Sequence, residues 1–167
     1  MRIMPRKGFT LVELLVVIAI ITIVSFVVIV TLNPAELLKQ ARDATRVSDV
    51  ATIQSAVLLA QLNANGGSLG TPGTTYLSLI DPTATTTAGT DCSGVGLGGN
   101  SYHCAASSTY KNADGTGWIP VNFTQLSAGS PLAILPSDPI NSLSSGCGEN
   151  FYQYSTDGAR FQIAAAP

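Results

Sequence analysis

Cys92, His103, Cys104 and Cys147 are the residues of this chain whose types suit a zinc ion, and His103 beside Cys104 also suggests a thiol–imidazole pair. Their spacing fits no zinc-ligand pattern, and an oxidised thiol outside the cell is a poor ligand. Three cysteines in a distal segment rich in Ser, Thr and Gly match an oxidising exterior better than a metal site. His103 is the single histidine, so any Ser-His-Asp arrangement would have to use it, and no Gly-x-Ser-x-Gly turn accompanies it. Gly94-Val-Gly-Leu-Gly-Gly99 has the glycines of a phosphate loop, but it lacks Lys, lies between Cys92 and Cys104, and precedes no helical pattern; it reads as a flexible loop. Asn122-Phe-Thr124 matches a glycosylation sequon, and Trp118 reads as a core or sheet residue. No catalytic constellation emerges, and the chain is expected to be no enzyme and to need no cofactor.

A different kind of chemistry is suggested by Glu13, which sits near the start of the apolar run Phe9-Thr-Leu-Val-Glu-Leu-Leu-Val-Val-Ile18. A charge at the centre of a bilayer costs at least about 2.5–3.5 kcal/mol, so such a carboxylate usually serves a function and needs a partner. From Phe9 to Leu32 lie 24 residues with that one charge. As a helix they extend ~36 Å, enough to span a bilayer. A cleaved secretory signal would have a shorter apolar core followed by small residues, whereas this run continues into helical sequence.

Charge is scarce and unevenly placed. Charged residues make up 11% of the 167 and the net charge is −2. Arg2, Arg6 and Lys7 precede the apolar run, while from Asn63 onward Lys111 and Arg160 face six acids, a net −4. An acidic head of this kind lacks the basic footprint of nucleic-acid binding, so no direct contact with nucleic acid is expected from it. The length allows one membrane segment and one modest domain.

Asn33-Pro-Ala-Glu36 carries the signals of a helix start: Asn at the cap, Pro at the first helical position, and Glu placed to reach back. It is equally compatible with a kinked but continuous helix. Val47, Val50, Ile53, Val57 and Ala60 then recur at helical spacing, with Lys39, Arg42, Asp43, Arg46, Ser48 and Asp49 supplying polar faces. This predicts a helix to about Leu62, stopped by Asn63-Ala-Asn-Gly-Gly67. Residues 66–117 read mostly as loop, with one strand or short helix at Tyr76–Ile80. Trp118-Ile-Pro-Val-Asn-Phe123 is expected to be an edge strand interrupted by Pro120. Phe151–Ser155 and Arg160–Ala164 form a β-hairpin around Thr156-Asp-Gly158, and alternation of Phe161, Ile163 and Ala165 with polar neighbours sets one face on the amphipathic helix.

Lys7-Gly-Phe-Thr-Leu-Val-Glu13, followed by Leu-Leu-Val-Val-Ile18, resembles the class III leader and helix start of type IV prepilins and type II secretion pseudopilins. The resemblance joins a basic leader, a Gly-Phe junction, an acid five residues into the would-be mature chain, and an apolar run of the right length. It implies that a membrane prepilin peptidase cuts after Gly8 and methylates the new amino group of Phe9. Cleavage would also create a partner for Glu13, since a helix puts Glu13 about one turn from the Phe9 amine. In a filament the Glu13 of one subunit could pair with the Phe9 amine of its neighbour, making the buried pair a device of register rather than of stability. Leu135-Pro-Ser-Asp-Pro139, the aromatics Phe151, Tyr152 and Tyr154, and Gly158 are similar to the end of the sheet in major pseudopilins and short pilins. The major pseudopilins carry further acids after this hairpin, associated with calcium, where this chain reads Ala-Ala-Ala-Pro167. Asp138 and Asp157 alone fall short of the six to eight oxygens calcium takes.

Taken together, these features predict an α+β protein: a long N-terminal helix, transmembrane and then amphipathic, packed against a small antiparallel β-sheet head. The expected organisation is a leader peptide at 1–8, a transmembrane and filament-core helix at 9–33, an amphipathic helix at 34–64, and a head at 65–167. The expected function is the structural subunit of a type IV pilus-like surface filament. Its partners would be further copies of itself, a prepilin peptidase, an inner-membrane assembly platform and, before assembly, membrane lipid. It would reside in the inner membrane first and at the cell surface afterwards. The alternatives are a pseudopilin of a type II secretion or DNA-uptake system, and a plain single-pass anchored binding domain that would keep residues 1–8. Among the cysteines, Cys92 with Cys104 is the favoured bridge, because the intervening residues are rich in Gly and Ser and turn back easily; Cys104 with Cys147 is the competing one.

Overall fold

The structure, a computed structural model, describes residues 8–63, 68–84, 89, 92–97, 101–141 and 150–166. The chain divides into two compact units at Arg42. In the first, helix α1 runs over Leu11–Leu32 and none of its residues is buried. Asn33 follows in a left-handed conformation, φ 40°, and helix α2 begins at Pro34 and ends at Leu62. The helix is therefore interrupted at Asn33, which suits Asn as one of the few residues to adopt that backbone at low cost. Pro34 then takes the first helical position, where a missing N–H costs nothing.

The second unit opens with the remainder of α2. Ile53, Ala56, Val57 and Ala60 are its buried residues, with Val50 partly so. Val47, expected on the same face, is 71% exposed. At 100° per residue, positions 46, 49, 53, 57 and 60 share one stripe and position 47 lies off it. The stripe thus continues toward the N-terminus through Arg46 and Asp49 instead of through Val47.

Four strands follow, β1 Thr75–Ile80, β2 Tyr102–Ala105, β3 Phe151–Thr156 and β4 Phe161–Ala166, in the order β2-β1-β3-β4. The hairpin β3–β4 lies where the sequence places it, with Thr156 opposite Phe161 and the tight turn closed by Asp157 Oδ1 accepting the N–H groups of Ala159 and Arg160. Phe161, Ile163 and Ala165 pack on the main core that contains the α2 stripe. The sheet is mixed rather than wholly antiparallel, because β1 and β2 run parallel, with Tyr76 opposite His103 and Leu77 opposite Cys104. A parallel pair needs a long crossover, and residues 81–101 provide it. The segment 66–117 thus contributes two strands, one more than its sequence suggests.

Trp118–Phe123 is the other correction, since it forms no strand. Trp118 N–H donates to Tyr110 O and Phe123 N–H to Ala113 O, and only Asp114 and Asn122 make a single bridge. Trp118, Ile119, Val121 and Phe123 are all fully buried. Ile119, Val121 and Phe123 alternate with half-buried Pro120 and Asn122 as in a strand, but the backbone N–H groups of Trp118 and Phe123 go to the loop at Tyr110 and Ala113 rather than to a strand ladder. Ser78 closes the remaining gap in the sheet: its hydroxyl accepts the Tyr152 N–H at 2.8 Å, where the β1–β3 ladder has already ended at Leu77.

Candidate processing and assembly site

The site lies at the start of α1. Gly8, Phe9 and Thr10 are not helical, and Thr10 is the N-cap, extended at φ −86°, ψ 151°. Its hydroxyl accepts the Glu13 N–H at 3.2 Å, while Glu13 Oε2 accepts both the Thr10 N–H at 2.9 Å and the Thr10 hydroxyl at 2.8 Å. This reciprocal capping box satisfies two of the donors that a helix start leaves open. In this chain Phe9 still carries an amide nitrogen, and Glu13 has Thr10 as its partner. Thr10 is the residue that the sequence reading passed over; the signal was present as Thr-x-x-Glu ahead of an apolar run.

The junction upstream is unencumbered. Phe9 is 84% exposed, and a β-carbon added at Gly8 would touch nothing within 4 Å. Among the described residues, none therefore demands glycine at position 8. Beyond the cap, α1 is apolar on every side, 22 residues with a single carboxylate, long enough to cross a bilayer.

The other sequence candidates are distributed differently. Cys92 and Cys104 are bonded to each other, with Cα atoms 5.0 Å apart, and Cys147 lies outside the described residues. His103 packs its ring on Tyr76 at 5.1 Å between centroids. Among the described residues no group of three or more His, Cys, Asp or Glu side chains is placed to hold a metal. Gly94 lies in a short 3-10 turn and donates its N–H to Asp81. Asn122 and Thr124 are engaged with each other, Asn122 Oδ1 accepting from the Thr124 N–H and hydroxyl. Trp118 is a core residue whose indole N–H donates to Pro136 O.

Asp138 and Asp157 do not meet. Asp157 closes the hairpin turn, and Asp138, fully buried at its side chain, receives Arg46 Nε at 2.7 Å and Nη2 at 3.3 Å, besides the N–H groups of Ile140 and Asn141. Arg46 also donates to Asn150 Oδ1 at 2.6 Å and to Asp43 at 2.9 Å. Burial works to raise the Asp138 pKa, but Arg46 and the two N–H groups outweigh it and hold the carboxyl below the usual aspartate range. The bond to Asp138 likewise raises the Arg46 pKa. One helix turn further, Asp49 accepts the Tyr152 hydroxyl at 2.9 Å; burial, then this bond, push the phenol pKa up. These polar groups on the α2 stripe fasten the helix to the strand end and to the loop before it.

An apolar helix of membrane length, entered through a capped Thr-x-x-Glu turn and followed by an α+β head, fits a membrane anchor. Residues 3–29 match the family described as the prokaryotic N-terminal methylation motif, which is the class III prepilin leader of type IV pilins and pseudopilins. That motif supports a type IV pilin- or pseudopilin-like protein; proteins that carry it are typically structural, and it implies processing by a prepilin peptidase and assembly into filaments. No curated protein and no solved structure matches the chain.

Proposed function

We propose that this chain is the structural subunit of a type IV pilus-like surface filament, cut after Gly8, methylated on the new Phe9 amine, and assembled through α1. The observation that carries the reading is the methylation motif across the Gly8–Phe9 junction, at the head of a helix with no interior partner. Gly8 supports it: among the described residues nothing crowds this position, and glycine offers a peptidase an unobstructed backbone. Glu13 is the assembly residue. Before cleavage the capping box masks its charge as it sits at the membrane edge. After cleavage the Phe9 amine of a neighbouring subunit offers a full positive charge, and only a subunit in register presents it. The subunit rests in the inner membrane with lipid around α1 until the assembly platform and the growing filament replace that lipid. A heterologous contact repeated without closure then yields a fibre.

Intact-mass measurement of the native protein tests processing: the expected mass is that of residues 9–167 plus one methyl group. A chain retaining Met1 or Arg2 overturns the proposal and leaves a single-pass anchored domain. Imaging of cells for surface filaments labelled through this chain tests the rest; short envelope-confined filaments would instead assign a pseudopilin role.

A further inference from the structure

We infer that Asp81 is a positioning residue that selects the Cys92–Cys104 pairing in a chain with three cysteines. Asp81 follows the end of β1 and is fully buried. Its main-chain N–H donates to the carbonyl of Ala105, the neighbour of Cys104, at 3.2 Å. Its carboxylate accepts from the Thr83 N–H at 2.7 Å, from the Thr83 hydroxyl at 2.6 Å, and from the Gly94 N–H at 3.1 Å. Gly94 is two residues beyond Cys92. A single residue at the strand end therefore grips the chain beside each cysteine.

Gly94 is matched to this grip. A β-carbon there would collide with Asp81 Oδ1 and with Thr83, so only glycine lets the backbone come this near the carboxylate. Cys92 itself stands in a left-handed conformation, φ 67°, which a residue with a β-carbon adopts only when its surroundings impose it. The Val95 and Leu97 N–H groups both donate to Cys92 O, at 3.1 and 3.2 Å. Beside the disulfide and the packing of Val95 and Leu97, these hydrogen bonds hold the turn, and charge-assisted bonds to a buried carboxylate are among the stronger ones available.

The pairing step is a thiol–disulfide exchange with an external disulfide oxidant such as oxidised glutathione. One cysteine thiolate attacks the oxidant, forms a mixed disulfide and expels a first oxidant thiolate. The second cysteine thiolate attacks the protein sulfur of that mixed disulfide, forms the new S–S bond and expels the second. Two protein thiols give up two electrons and two protons, and one external disulfide becomes two thiols. Selectivity is decided in the second step, by which thiol already lies close. Asp81 keeps Cys92 beside Cys104, so their exchange outruns any that involves Cys147.

The test uses purified full-length protein in detergent, reduced and then re-oxidised in a glutathione buffer, with non-reduced peptide mapping as the readout. The wild type is expected to return mainly the Cys92–Cys104 peptide. Asp81→Asn replaces an acceptor oxygen by a donor facing N–H groups, and should lower the ratio of that peptide to Cys147-linked ones at least about tenfold. Buried Trp118 reports by its emission that the variant is folded; if Asp81→Asn loses that signal, Gly94→Ala dislodges the same contact from the opposite side. A third measurement needs no variant: in the reduced wild type, the Gly94 amide should still exchange its hydrogen at least about tenfold more slowly than an unstructured amide. A wild-type peptide ratio in either folded variant, or free exchange at Gly94 after reduction, would overturn the assignment.

Discussion

Every residue of α1 from Leu11 to Leu32 is exposed within this chain, while in the head Trp118, Phe123, Tyr152 and Tyr154 have lost all their accessible surface. Both regions are rich in apolar side chains, yet only one of them finds its burial within its own chain. The head closes a core from the α2 stripe, one face of the sheet and the loop through Trp118; the opposite face, with Leu77 and Leu79, is covered by the bridged turn at Cys92. Among the described residues nothing comparable covers α1, and its exposed apolar surface fits the lipid or subunit contacts proposed for it. The comparison teaches that the core of the head is built without α1, so its stability should be breakable separately from the proposed assembly.

The largest effect should come from deletion. A chain beginning at Pro34 is expected to be a soluble monomer, because it keeps the whole core of the head and loses the all-apolar helix. Size-exclusion chromatography without detergent checks this, and fibres or aggregates from the truncated protein would break the division.

Next comes Glu13→Val, which on the proposed pairing leaves a neighbour's amine uncompensated and is expected to preserve or improve membrane insertion while lowering incorporation into sheared filaments about a hundredfold. Fractionation of membranes and filaments gives both numbers, and wild-type filament yield from this variant would remove Glu13 from assembly.

In the head, Asp138→Ala should destabilise by about 3 kcal/mol in denaturant titration, the low end for breaking a buried pair, because Arg46 loses its buried partner and keeps only the exposed Asp43 and the half-buried Asn150. Filaments that do form should remain in register, since Asp138 takes no part in the α1 site. The same pair predicts a pH dependence. The folded-state pKa of Asp138 is depressed, so its contribution is fully present above the ordinary aspartate value of about 3.9 and is lost as pH falls below that value through the folded one. Asp138→Asn should flatten that acid limb of the stability curve.

The smallest of the four is the bridge. Converting both Cys92 and Cys104 to Ser should cost about 3 kcal/mol or less by chain entropy, for a sequence separation of 12. Thermal unfolding reads it, and the assembly proposed for α1 should be unaffected.

Much of this protein is set by local pattern. The apolar run, the stop at Asn63, the Asp-Gly hairpin and the motif across Gly8 and Phe9 each depend on neighbours within a few residues, so composition and spacing suffice to read them. Even the Thr10 cap belongs to this class, being a four-residue pattern. What only the tertiary structure decided involves partners far apart in the chain. Arg46 meets Asp138 across 92 positions, and that meeting turns a charged residue inward while Val47 turns out. Likewise the parallel β1–β2 pair brings Cys104 alongside Leu77 through a long crossover, and Asp81 reaches Gly94 through a fold that no local periodicity announces. Trp118–Phe123 departs from the expected strand for the same reason: its alternation of Ile119, Val121 and Phe123 with Pro120 and Asn122 is strand-like, and what the segment becomes depends on which groups outside it take its hydrogen bonds.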